Sequence, residues 1–184
     1  MRTVIPAILQ TNSARELQAT LRGRYRRAPE SAWATPIAWT EASGAEASDP
    51  FGGTVRLGLA GHEERFALDE SVGGEHDQPS PGELLCGALA ACVDASIRLE
   101  AARMDLAIER LAVLATGDVD ARGSLGEDGV PVGFQSMRVE IQLHLSRTSA
   151  ALAEKLIAVA QRRSPVLQTI RSAVPVVLFQ SEAV

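Results

Sequence analysis

Cysteine is scarce in this chain of 184 residues: Cys86 and Cys92 are the only two, so any thiol chemistry passes through one of them. A pair this sparse builds no disulfide framework and points to a reducing compartment. Aromatic residues make up only 4%, and acidic residues outnumber basic ones, 23 to 18. Both facts exclude an ordinary nucleic-acid partner, which wants a basic surface and often aromatic stacking platforms. Long apolar runs are missing too: none approaches the ~20 residues of a membrane span. The N-terminal run from Val4 to Leu9 is broken by Pro6 and too short for a secretion signal. A cytoplasmic location with no membrane partner is the expectation. His62, His76 and His144 are scattered, and no Cys-x-x-Cys occurs, so neither a metal nor another cofactor is expected. The Gly52-Gly53 and Gly73-Gly74 pairs lack a strand–loop–helix phosphate setting and read as turns. No serine-hydrolase elbow is present.

What the chain does have is an ordinary globular balance, 46% hydrophobic and 22% charged. Its most informative stretch runs from Ser80 to Cys92. Ser80, Pro81 and Glu83 form a capping box with proline at the first helical position. The pattern predicts a helix from Pro81 to about Arg103, with Leu85, Leu89, Cys92, Ser96 and Leu99 on one core-facing stripe. On that helix the six-residue step from Cys86 to Cys92 covers about 9 Å of rise and about 120° of rotation. Their Cα atoms then stand roughly 10 Å apart, beyond the ~7 Å limit of an unforced disulfide. An internal dithiol–disulfide cycle is excluded while the helix stands.

Around this helix the order of elements is legible. Asn12 or Ser13 caps a helix from Ala14 to Arg27, which ends in a basic cluster. That cluster suits either an anion or, more blandly, the negative end of its own helix on a solvated face. Ser31 to Ala42 reads as a strand carrying Trp33 and Trp39, and Ser43 to Pro50 as a polar loop. Gly53 to Ala60 and Glu63 to Asp69 read as a hairpin turning at Gly61-His62. Two long strands are expected at Ile108 to Ala121 and Phe134 to Ser146, the second with strict apolar–polar alternation. A helix from Ser149 to Arg163, capped by Ser146 or Thr148, a shorter one from Pro165 to Ser172, and a strand at Pro175 to Phe179 complete the chain. Strands that neighbour in sequence pair antiparallel, giving an α+β class.

The combination of Arg56, Gly61-His62, Leu68-Asp69-Glu70, Gly73-Gly74, Pro81-x-Glu83-Leu84-Leu85 and Leu89-Ala90-Ala91-Cys92 resembles the OsmC/Ohr family of thiol-dependent peroxidases, in its OsmC-like branch. Ser164-Pro165-Val166 stands where the family usually reads Cys-Pro-Val, and the likeness spans roughly Thr54 to Phe179. The resemblance implies an OsmC-like domain over 31–184 with a helical extension at 1–30. It further implies antiparallel sheets around a long central helix in an intertwined homodimer. Organic hydroperoxides are the implied substrates, in defence against oxidative stress. It makes Cys92 the attacking thiol, gives Arg56 the role of activating cation, and puts Ser164 in the substrate pocket at the place of the resolving cysteine.

Two departures follow. With serine at 164, a sulfenic acid on Cys92 needs an external thiol reductant. The peroxidase branch also places a glutamate ten residues before the cysteine, where this chain has Gly82. Glu83, nine before, falls on the opposite face and reads as a cap. Each candidate has a structural alternative: Cys92 as a small hydrophobe among alanines and leucines, Arg56 as a solvated strand cation, Ser164 as a helix cap and Cys86 as filler. Two functions are therefore expected to compete, a one-cysteine hydroperoxide reductase and a non-catalytic dimer that binds an apolar small molecule.

Overall fold

The computed structural model describes residues 13–146, 150–172, 174–178 and 180. Asn12, Thr148, Ser149 and Phe179 lie outside these. Helix α1 runs Ala14–Arg27 and α3 runs Pro81–Arg103, and both begin with reciprocal capping boxes. Ser13 and Glu16 exchange hydrogen bonds at the first, Ser80 and Glu83 at the second. Each box satisfies backbone N–H groups that the first helical turn leaves without partners. At its far end α3 stops on Asp105 in the left-handed region, φ +58°, with the Leu106 N–H returning to the Ala101 carbonyl.

The chain divides into two compact units. The first falls within Met1–Gly87 and Leu114–Glu140, the second within Ala88–Val113 and Ile141–Val184. In the first, β1 (Ala38–Thr40), β2 (Gly52–Leu57) and β3 (His62–Ala67) form an antiparallel sheet in sequence order. Its hairpin turns through Gly58 and Gly61, both at φ +65°, a region that favours glycine. A short helix α2 (Gly44–Ala47) and another, α4 (Ala121–Ser124), complete the labelled elements of this unit. Strands β4 (Ile108–Asp118) and β5 (Ser136–Leu145) form a second sheet and contribute to both units. Hydrogen bonds from Gln135 to Asp118 and from Ser146 to Ala107 bracket the pair, as antiparallel strands require.

The second unit holds most of the buried apolar residues among those described: Leu89, Val93, Ile97 and Ala101 of α3, Leu156 and Ala160 of α5 (Ala150–Arg163), and Leu167 of α6 (Pro165–Arg171). Each fully buried leucine or isoleucine contributes about 1.5–3 kcal/mol.

The molecule is α+β with antiparallel sheets, and four details correct the sequence reading. Ser31 to Ala42 is a turn of 3-10 helix followed by the three-residue β1, because Pro36 interrupts the run and offers no N–H to a ladder. The polar stretch 43–50 contains α2. The buried stripe of α3 is Leu89, Val93, Ser96, Ile97, Glu100 and Ala101, whereas Leu85 and Leu99 are exposed. Residues 174–178 form no strand: β-branched residues favour pleated backbone, but a strand also needs a ladder neighbour.

Candidate functional site

Cys92 sits in the middle of α3 and is half-buried. Ser164, in the bend between α5 and α6, has no exposed surface. Its hydroxyl donates to the Cys92 Sγ at 3.2 Å, a contact between residues 72 apart in sequence. Ser164 occupies the N-cap position of α6, yet its side chain makes no capping bond. Ser164 thus holds the cap position, as the sequence reading placed it, but its hydroxyl serves the thiol and not its own helix. One turn beyond Cys92, the buried Ser96 hydroxyl donates to the Cys92 carbonyl at 2.7 Å.

The same stripe carries Glu100, the sole charged residue among the buried described residues. Arg163, immediately before Ser164, donates Nη1 to both Glu100 oxygens at 2.7 Å. Arg103 donates to Glu100 Oε1 as well. A buried carboxylate demands such partners, because leaving water uncompensated costs several kcal/mol. Sequence reasoning passed over Glu100 and Arg163. The available signal was a carboxylate at helical spacing from Val93, Ser96 and Ile97, on the face that must be apolar.

Arg56 lies on β2 in the first unit, directly across from Glu63 on β3. Its Nη2 stands 2.9 Å and its Nε 3.0 Å from Glu63 Oε1. Cys86 is half-buried on α3, and the unbroken helix keeps it from pairing with Cys92.

At the start of α3, Glu83 does more than cap. His76 Nε2 lies 2.8 Å from Glu83 Oε2, and His76 Nδ1 lies 3.4 Å from Asp69 Oδ2. The hydrogen bond to Glu83 raises the His76 pKa above its usual 6.5. The Ser80 N–H, followed by His76, holds the Glu83 carboxyl below its ordinary value, and hydrogen bonds from Ser71 do the same for Asp69. His76 itself adopts φ +51°, an uncommon backbone for a non-glycine residue. Among the described residues, no group of three or more His, Cys, Asp or Glu is disposed to hold a metal ion. Nor is any helix among them long and apolar enough to cross a membrane.

Comparison with known proteins adds the family. The family model described as OsmC-like protein matches residues 74–179. Among solved structures, the chain is similar to an OsmC-like protein of unknown function from Vibrio cholerae, with a TM-score of 0.61, 14% identity, and coverage of 74% of this chain and 94% of that one. It is similar also to an organic hydroperoxide resistance protein OsmC from Legionella pneumophila, with a TM-score of 0.57, 23% identity, and coverage of 76% and 91%. A third is an organic hydroperoxide resistance protein from Elizabethkingia anophelis with thiocyanate bound, with a TM-score of 0.56, 21% identity, and coverage of 77% and 91%. At these identities the likeness is one of fold. No curated protein matches the chain.

Proposed function

The chain belongs to the OsmC-like protein family, and from that membership we propose that it reduces organic hydroperoxides through Cys92 alone. One observation carries the reading: the side chain at the family's resolving position, Ser164, touches the Cys92 sulfur at 3.2 Å and is a hydroxyl, not a thiol. In the first step the Cys92 thiolate attacks one peroxide oxygen and the O–O bond breaks. The alkoxide leaves and takes a proton to become the alcohol, and Cys92 becomes a sulfenic acid. The Ser164 hydroxyl donates a hydrogen bond to the thiolate before attack, a stronger bond than to a neutral thiol. It has no electrons to give the sulfenic acid. A thiol from outside therefore forms a mixed disulfide with Cys92 and releases water. A second thiol restores Cys92 and leaves as the external disulfide.

In this reading residues 31–184 are the catalytic domain, 1–30 an extension, and the working form is a cytoplasmic homodimer. Arg56 is the activating cation. A non-catalytic dimer holding an apolar small molecule is the second reading, favoured by the Arg56 guanidinium being already paired with Glu63.

The test exposes the reduced protein to a stoichiometric organic hydroperoxide and follows intact mass and residual thiol, with and without a small thiol. Oxidation that disappears in Cys92→Ser, persists in Cys86→Ser and is reversed by the small thiol is the expected result. If Cys92 stays reduced in excess hydroperoxide, the peroxidase reading fails and the binding reading takes its place.

A further inference from the structure

Ser164 has two competing uses for its hydroxyl. The first turn of α6 offers unsatisfied N–H groups, the ordinary target of a serine at the N-cap. The structure shows the other use, with the hydroxyl on Cys92 and no capping bond. Something must hold the α5–α6 bend so that this orientation wins. The residue before the serine is Arg163, and Glu100 grips it with both carboxylate oxygens at 2.7 Å. Arg163 has a half-exposed side chain that water could solvate, whereas the Glu100 side chain is 5% exposed and cannot turn to water. The buried partner thus sets the geometry. Eight residues separate Cys92 from Glu100 on α3, about 12 Å of rise, a gap the long Arg163 side chain helps to span. The carboxylate and the thiol together pin one bend at two points.

From this we infer that Glu100 is a positioning residue for Cys92: by holding Arg163 it fixes the Ser164 hydroxyl on the thiol. Buried ion pairs are costly to desolvate and are best attested as devices that set register, the role they have here. The inference rests on Cys92 being the reacting thiol, and it needs no hydroperoxide to be tested.

The experiment measures iodoacetamide alkylation of Cys92 at neutral pH by intact mass, in the full chain with Cys86→Ser, and near-UV circular dichroism monitors folding. Ser164→Ala slows alkylation about tenfold, the weight of one hydrogen bond to a charged sulfur. Glu100→Gln slows it several-fold, and Arg163→Lys, which keeps the cation, retains more of the rate than Arg163→Met. In the Ser164→Ala background Glu100→Gln adds no further slowing, because its effect passes through the hydroxyl. Should Glu100→Gln unfold, Arg163→Met carries the same cycle from the half-exposed side. Equal slowing with and without the Ser164 hydroxyl overturns the inference, as does an unchanged rate in Glu100→Gln. A Cys92 that alkylates in this pattern yet resists hydroperoxide sinks the peroxidase reading and leaves the positioning role standing.

Discussion

At the scale of the residue, one atom separates the Ser164 hydroxyl from a thiol, the group that the sequence resemblance implies at this position. The hydroxyl oxygen is 3.2 Å from the Cys92 sulfur, and a sulfur in its place sits further out on a longer Cβ bond. Side-chain rotation is then expected to bring two sulfurs to bonding distance. Ser164→Cys is expected to form a disulfide between Cys92 and the introduced thiol on stoichiometric hydroperoxide, seen as the loss of two hydrogen atoms in intact mass. A Cys92 sulfenic acid, seen as a gain of one oxygen in intact mass, with the introduced thiol still titratable, would show that the bend holds residue 164 apart from Cys92. Both residues were singled out in the sequence, Cys92 by its motif and Ser164 by the Pro-Val that follows, and the structure brings them into contact. The orientation of the hydroxyl was not legible there. It depends on Glu100 and Arg163, residues 63 positions apart, and no local pattern encodes that contact.

At the scale of the element, the two long helices that open with capping boxes were readable because their stop and start signals are local chemistry. Ser13 with Glu16, and Ser80 with Pro81 and Glu83, fix α1 and α3 to the residue. The segment before α3 was not readable, since His76 meets Asp69 and Glu83 only once the loop has folded back. A neutral imidazole can donate through only one nitrogen, so bridging both carboxylates calls for the protonated ring. Three carboxylates face it, Glu83, Asp69 and Glu70, and together they raise its pKa above 6.5. A raised folded-state value stabilises fully below 6.5, and that gain is lost as pH rises through the folded value. Glu83 behaves oppositely: its share is present above 4.5 and lost as pH falls through its lowered value. The melting temperature lost in His76→Asn is therefore expected to be largest between pH 4.5 and 6.5 and to shrink as pH rises through the raised folded value. A loss independent of pH would mean that His76 acts by shape alone. Within the same unit, the Phe134 ring occupies the space over Gly117, where an added Cβ would stand 2.5 Å from it. Gly117→Ala is expected to cost about 1–3 kcal/mol in urea unfolding by overpacking. Gly117→Ala together with Phe134→Leu should recover part of that loss.

At the scale of the whole molecule, the described C-terminal run is the feature the single chain does not account for. Val176, Val177 and Leu178 are 82%, 78% and 93% exposed, although their composition is that of a buried strand. The sequence reading took them for a strand, because β-branched residues signal a pleated, covered surface without saying which chain covers it. Nor does β4–β5 stand well by itself, since a two-stranded ladder is marginal in water without further packing. The homodimer proposed above would supply cover for both. Sedimentation equilibrium at tens of micromolar is therefore expected to give twice the 19.5 kDa of the chain. Val177→Lys with Leu178→Lys should shift the distribution toward the single chain, because two ammonium groups cannot be buried unpaired. The same variant is expected to slow Cys92 oxidation if the partner completes the site, and to leave it unchanged if each chain works alone. A folded wild-type species at 19.5 kDa over that concentration range would remove the dimer and, with it, the reason for an apolar run this exposed.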